Sequence, residues 1–291
     1  MRRTMLFMPG INPGNILNAD VFGSDSIILD LEDAITYAEK DSARILTRNA
    51  LQAFDFTGTE VIVRINSLST PFWQKDLDMI IPQKPDVIMP TKIHGPEDIR
   101  IISDHIEKIE RANNMEAGKI KLIPLLESAA SIENAYAIAT SDKRMAALYL
   151  GAEDLALDMR ATRTPEGTEI LYARSRLIMA ARAAGIDALD TPFIRDIHDL
   201  DSLRADCALA KSLGFNGKAS IYPGHVETIN AVFSPSKAQY QDALELLAEV
   251  ERAANAGKGV STFRGKLVDG PVIIIAEQMV KEYESIHRGV K

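Results

Sequence analysis

A chain of 291 residues with 46% apolar and 25% charged side chains has the make-up of a globular protein, long enough for one large barrel or two ordinary domains. Its 33 Lys and Arg stand against 41 Asp and Glu, a net charge of −8, and the only basic tract is Arg2-Arg3, which excludes a general binder of nucleic-acid phosphates. The single cysteine, Cys207, excludes an intramolecular disulfide and a cysteine-rich zinc site, and no run approaches the ~18 apolar residues of a membrane span.

Taken in chain order, Arg2-Arg3 precede only a short apolar stretch, Met5 to Met8, before Pro9-Gly10. That is too short for a signal-peptide core, so the cytoplasm is the expected location. Eight short, nearly continuous runs rich in Ile, Val and Leu then recur, at residues 4–8, 26–31, 60–65, 86–89, 121–126, 145–150, 186–190 and 215–221. Such runs read as strands of a parallel sheet covered on both faces. Between them, residues 131–140 and 171–184 are Ala-rich helices. Residues 199–213 form another helix, with Leu200, Leu203, Cys207 and Ala210 on one face and a stop at Gly214. Cys207 on that face is expected to be a buried, inert thiol.

Eight strands alternating with helices predict a (β/α)8 TIM barrel. An open doubly wound sheet would carry a glycine-rich fingerprint after its first strand, and Pro9-Gly10-Ile11-Asn12-Pro13-Gly14 is not one. Residues 1–233 are therefore read as the barrel and 234–291 as a C-terminal helical extension. The extension reads as a helix over 235–256, a flexible break over 255–259, a short irregular segment over 262–270 and a helix over 271–285 opening on Pro271. With the barrel already complete, this tail is expected to cover a barrel mouth, its own or a neighbour's.

Barrel chemistry sits at the C-terminal strand ends. There the sequence places Asp30, Glu32 and Asp33, then Arg64 and Asn66, Lys92, Glu127 and Ser128, Glu153 and Asp154, Asp190, and Lys218 followed by Tyr222. Carboxylates converging on one mouth need a cation or shared protons. Glu127 and Asp154, at the ends of adjacent strands, could meet one Mg²⁺, and Arg64 could fork onto a substrate carboxylate. The structural alternative is that Ser128 and Asp154 cap helices and that Glu32 or Asp33 pairs with Arg64 or Lys92. Lys92 and Lys218 read as cations for carboxylate or phosphate in preference to Schiff-base lysines. The five histidines show no zinc spacing, and no nucleophile elbow or Walker loop is present.

These residues lie in segments similar to a known family. The segments are Arg3-Thr4-Met5-Leu6-Phe7-Met8-Pro9-Gly10, Leu29-Asp30-Leu31-Glu32-Asp33-Ala34, Val63-Arg64-Ile65-Asn66, Leu126-Glu127-Ser128-Ala129, Gly151-Ala152-Glu153-Asp154, Pro165-Glu166-Gly167-Thr168-Glu169, Leu213-Gly214-Phe215-Asn216-Gly217-Lys218 and Gly265-Lys266-Leu267-Val268-Asp269-Gly270-Pro271. In this order the chain resembles the citrate lyase β subunit, within the HpcH/HpaI aldolase/citrate lyase family. The resemblance implies a Mg²⁺-dependent carbon–carbon lyase that splits a citryl thioester, of coenzyme A or of an acyl-carrier protein, into oxaloacetate and an acetyl thioester. It implies Glu127 and Asp154 as metal ligands and Arg64 as the contact to the keto acid. Glu32, Asp33 and Lys92 would line the substrate site beside them. Asp269 would be the proton carrier, reaching a neighbouring subunit's active site in a homo-oligomer, a trimer, with other citrate lyase subunits as further partners. The chain departs from the β-subunit pattern at Tyr222-Pro223-Gly224-His225, where those chains read Asn-Pro-Arg-Gln. Malyl-CoA or citramalyl-CoA lyase, a free hydroxyacid aldolase and a non-catalytic subunit of a lyase complex are the alternatives. Neither nucleic acid nor membrane is an expected partner.

Overall fold

The computed structural model describes residues 1–19, 21–255 and 261–287. The chain divides into two compact units, Met1–Asn230 and Ala231–Lys291. The first carries nine strand segments: β1 (Thr4–Pro9), β2 (Ser26–Asp30), β3 (Glu60–Arg64), β4 (Val87–Met89), β5 (Lys121–Leu122), β6 (Leu125–Leu126), β7 (Ala147–Leu150), β8 (Asp187–Asp190) and β9 (Gly217–Ser220). Their order is β5-β4-β3-β2-β1-β9-β8-β7-β6, with every ladder parallel.

The two ends of that order are halves of one run. Pro124, which has no N–H to give a ladder, splits it. On one side Ile123 donates to Ile88 O (3.1 Å) and Leu125 to Pro90 O (2.9 Å); on the other Ala146 donates to Leu122 O (3.0 Å) and Tyr149 to Pro124 O (3.1 Å). The sheet thus closes on itself as a (β/α)8 barrel, and its strands fall within the eight runs read from the sequence, β1 running one residue further to Pro9.

Alternation along each strand sets what faces the interior. The barrel core holds Met5, Ile28, Ile62, Met89, Leu125, Tyr149, Leu189 and Ala219. Residues two further along, among them Phe7, Asp30, Arg64, Glu127, Gly151, Thr191 and Ile221, form the next layer at the C-terminal mouth.

Residues of the opposite parity face the helices, and here lie Asp190 and Lys218. The Lys218 ammonium pairs with Asp190 (2.7 Å) and Asp206 (2.6 Å), and Arg174 pairs with the same two carboxylates at 2.8 and 2.9 Å. Arg174 comes from the helix Leu171–Ala184 and Asp206 from the helix Leu200–Leu213, so the quartet braces two strands against two helices. Burial alone would raise the Asp206 carboxyl, but Lys218 and Arg174 hold it down at about 2. The adjacent Cys207 thiol is pushed up to about 12 by burial and is unreactive. Lys218→Met would leave two carboxylates facing one guanidinium. It is expected to destabilise the barrel by about 3–5 kcal/mol, read as a lowered denaturant midpoint; an unchanged midpoint would contradict a bracing role.

The second unit carries the helices Lys237–Asn255 and Gly270–His287. Where the sequence reads as irregular, the strands Ser261–Phe263 and Lys266–Val268 form a hairpin. Its two-residue turn, Arg264-Gly265, has φ of 47° and 79°, the positive pair that a type I′ turn needs. Arginine is not a usual turn signal, which hid the hairpin. Apart from Asn255, the break expected over 255–259 lies outside the described residues. No helix among the described residues is long and apolar enough to cross a membrane.

Candidate active site

Eight of the residues singled out in the sequence, Asp30, Glu32, Asp33, Arg64, Lys92, Glu127, Glu153 and Asp154, meet at the C-terminal mouth, in a cavity of about 340 Å³ or on its rim. Arg64, at the end of β3, faces inward and is nearly buried. Its Nε donates to Asp30 Oδ1 (2.7 Å) and its Nη2 to Asp30 Oδ2 (2.5 Å). Its remaining Nη1 lies 3.2 Å from Glu32 and 3.8 Å from Asp33. The guanidinium stacks over the Phe7 ring at 5.0 Å, which fixes its plane. Burial raises the Glu32 carboxyl to about 7, although the Arg64 charge opposes this.

Glu127 follows β6 and is almost wholly buried. Gly151 makes room for it: a Cβ there would come within 2.7 Å of the Glu127 Cβ. Burial raises the Glu127 carboxyl to about 8, against the opposing pull of Lys92. Lys92 adopts the left-handed conformation at φ 53°, which costs a non-glycine residue about 1 kcal/mol or more. That turn lets its backbone N–H donate to Glu127 Oε1 (2.6 Å) while its ammonium lies 3.6 Å from Glu127 Oε2 and also pairs with Asp154.

Asp154 stands in the first turn of the helix Ala152–Asp158. Partial burial works to raise its carboxyl, but hydrogen bonds with Lys92 and Glu127 leave it below the ordinary range. The carboxyls of Glu127 and Asp154 therefore share one cationic ammonium, that of Lys92.

The structural alternative holds in part. Ser128 caps the helix Ala129–Glu133 by accepting from Ser131 N, and Glu32 does pair with Arg64. Asp154 caps nothing. Lys218 and Asp190 lie behind the barrel wall and not at the mouth. Asp269 is exposed at the head of the C-terminal helix, where its carboxylate accepts from Val272 N (3.3 Å), in the second unit. Sequence reasoning passed over Phe7, Tyr149 and Thr191 in the cavity wall and the anchoring role of Asp30. Strand parity was the signal that could have found them.

The mouth suits a hard divalent cation. Five carboxylates, Asp30, Glu32, Asp33, Glu127 and Asp154, stand against Arg64 and Lys92. Among the described residues no group of three or more His, Cys, Asp or Glu is placed to hold a metal ion, so an ion here would rest on two protein carboxylates at most. Two carboxyls that converge on one ammonium and border an open cavity match Mg²⁺, which takes few protein oxygens and fills its shell with water and substrate.

A closed barrel whose mouth joins a carboxylate pair to a fixed guanidinium is the framework of an enzyme acting on carboxylate-bearing substrates. The profile of the HpcH/HpaI aldolase/citrate lyase family matches residues 3–223, and the chain belongs to that family. It is 39% identical over 287 residues to the citrate lyase subunit beta of Leuconostoc mesenteroides subsp. cremoris, covering 99% of this chain and 95% of that protein. It is 32% identical to the mitochondrial citramalyl-CoA lyase of Mus musculus, covering 98% and 87% respectively. Among solved structures, CitE of Mycobacterium tuberculosis in complex with magnesium, acetoacetate and coenzyme A superposes with a TM-score of 0.79 at 27% identity, covering 97% of each chain. A citrate lyase from Burkholderia xenovorans LB400 shares the fold, with a TM-score of 0.87 at 20% identity over 100% of this chain and 94% of that one.

Proposed function

We propose that this chain is a magnesium-dependent carbon–carbon lyase that cleaves a citryl thioester into oxaloacetate and an acetyl thioester. The observation that carries the reading is that the Glu127 and Asp154 carboxyls converge on the Lys92 ammonium in the same cavity as the anchored Arg64. The 39% identity to a citrate lyase β subunit supports citryl over the malyl and citramalyl thioesters.

Glu127 and Asp154 would hold the ion, and Lys92 would withdraw from between them. Bound magnesium supplies the positive charge that stabilises the developing keto acid. Arg64 would hold the substrate carboxylate through its Nη1 edge, in exchange for the 3.2 Å contact with Glu32, which orients the scissile bond. The substrate hydroxyl loses its proton as the bond breaks, and the bonding pair moves to the thioester α-carbon. Glu32, which burial keeps near neutrality, is suited to take that proton. Asp33 and Lys92 complete the wall of the substrate site.

The thioester enolate then needs a proton, which we assign to Asp269. Its place in the second unit fits a proton carrier delivered between subunits of a homo-oligomer, for which a trimer is our reading. The acyl carrier would be coenzyme A or an acyl-carrier protein, in the latter case with the other citrate lyase subunits as partners, in the cytoplasm.

The test is turnover of citryl-CoA, malyl-CoA and citramalyl-CoA by the purified chain and by Asp269→Asn. Cleavage of citryl-CoA above the others is expected, with turnover in the variant down by about 10²-fold or more and magnesium affinity retained. A wild-type chain inactive on all three would defeat the reading, and unchanged turnover in the variant would remove Asp269 from it.

A further inference from the structure

Tyr149 has no part in the chemistry above. It belongs to β7, faces the barrel interior and is 2% exposed. It nonetheless lines the cavity at the mouth, between the Phe7 ring, whose centroid is 6.2 Å away, and the side chains of Leu125 and Glu127. A buried phenol ordinarily finds a hydrogen-bond partner. No protein hydrogen bond to this hydroxyl is found among the described residues, and it is not one of the fully enclosed unpartnered atoms, so it opens onto the cavity. Burial, against the field of Arg64, keeps the phenol protonated, so it is a donor.

Phe7 and Leu125 are the apolar side chains of the cavity wall beside it. With its carboxyl end at Arg64 and the Glu127–Asp154 pair, a keto acid has Phe7, Leu125 and Tyr149 of the same cavity wall to meet its remaining substituent. A methyl would rest on Phe7 and Leu125 and offer the phenol no acceptor. A second carboxylate would accept from it. A site built to donate to a polar group rejects the analogue that lacks it far better than an apolar pocket rejects an extra polar group.

Building on the proposed reading, we infer that Tyr149 is a specificity-determining residue, its hydroxyl selecting keto-acid halves with a second carboxylate over those with a methyl. The inference concerns binding, so it can fail apart from the lyase chemistry.

The test is calorimetric titration of the magnesium-loaded wild type and of Tyr149→Phe with freshly dissolved oxaloacetate and pyruvate. The Phe ring fills the same space and gives up no protein hydrogen bond. The wild type is expected to favour oxaloacetate, and the variant to lose about ten- to a hundredfold in oxaloacetate affinity with pyruvate affinity unchanged. Equal affinities in the wild type, or a preference that survives in Tyr149→Phe, would overturn the assignment. A lost preference in a chain inactive on every thioester would uphold it and defeat the proposed chemistry instead.

Discussion

Glu127→Gln is expected to abolish turnover while leaving the barrel intact. The amide is isosteric, and its oxygen can still accept from Lys92 N, as Glu127 Oε1 does at 2.6 Å. It cannot carry charge to a divalent ion. Loss of groups that merely support a metal ligand costs about 10–100-fold in affinity, so loss of a ligand should cost about a hundredfold or more. Stability should hold or rise, because a buried carboxyl whose ionisation is already disfavoured is replaced by a neutral group.

The sign of the pH dependence follows from the same group. Burial first, and the neighbouring carboxylates after it, raise the metal-free Glu127 carboxyl to about 8. Below that pH the ion must displace a proton, so apparent magnesium affinity should weaken up to about tenfold for each pH unit lost below 8. A flat profile between pH 6 and 8 would contradict the assignment of Glu127 as a ligand.

Arg64→Lys is expected to have the second-largest effect. Lysine keeps the charge but loses the planar fork that Asp30 grips on one edge while the other faces the cavity. It also loses the stacking plane over Phe7. We expect kcat/KM to fall by about 10²–10³-fold, or about 3–4 kcal/mol of transition-state stabilisation, with magnesium affinity little changed. Steady-state kinetics with a parallel metal titration checks this. A matching loss of metal affinity would mean that Arg64 acts through the ion site and not on the substrate.

The barrel was legible because parallel strands covered on both faces leave short, nearly unbroken apolar runs. Even the run over 121–126, which Pro124 breaks, kept that signature. The mouth was legible because strand ends can be counted off without knowing the third dimension. Orientation was less so. Asp190 and Lys218 stand at strand ends as Arg64 and Glu127 do, but opposite parity turns them outward into the ion quartet. Tyr149 was hidden for the complementary reason: within an apolar run it reads as core, and only the inward set of Leu125, Leu189 and Ala219 shows that it looks into the cavity. The role proposed for Asp269 would depend on how chains assemble, which strand and helix periodicity does not encode.

The claim on which all of this turns is that Glu127 and Asp154 grip one divalent ion where a keto acid also docks. Titration of the purified chain with Mn²⁺, followed by electron paramagnetic resonance with and without oxaloacetate, addresses it directly. The account expects one ion per chain, displaced by Mg²⁺, bound more tightly when the keto acid is present and lost in Asp154→Asn. Binding that survives in the variant, or that ignores the keto acid, would contradict it.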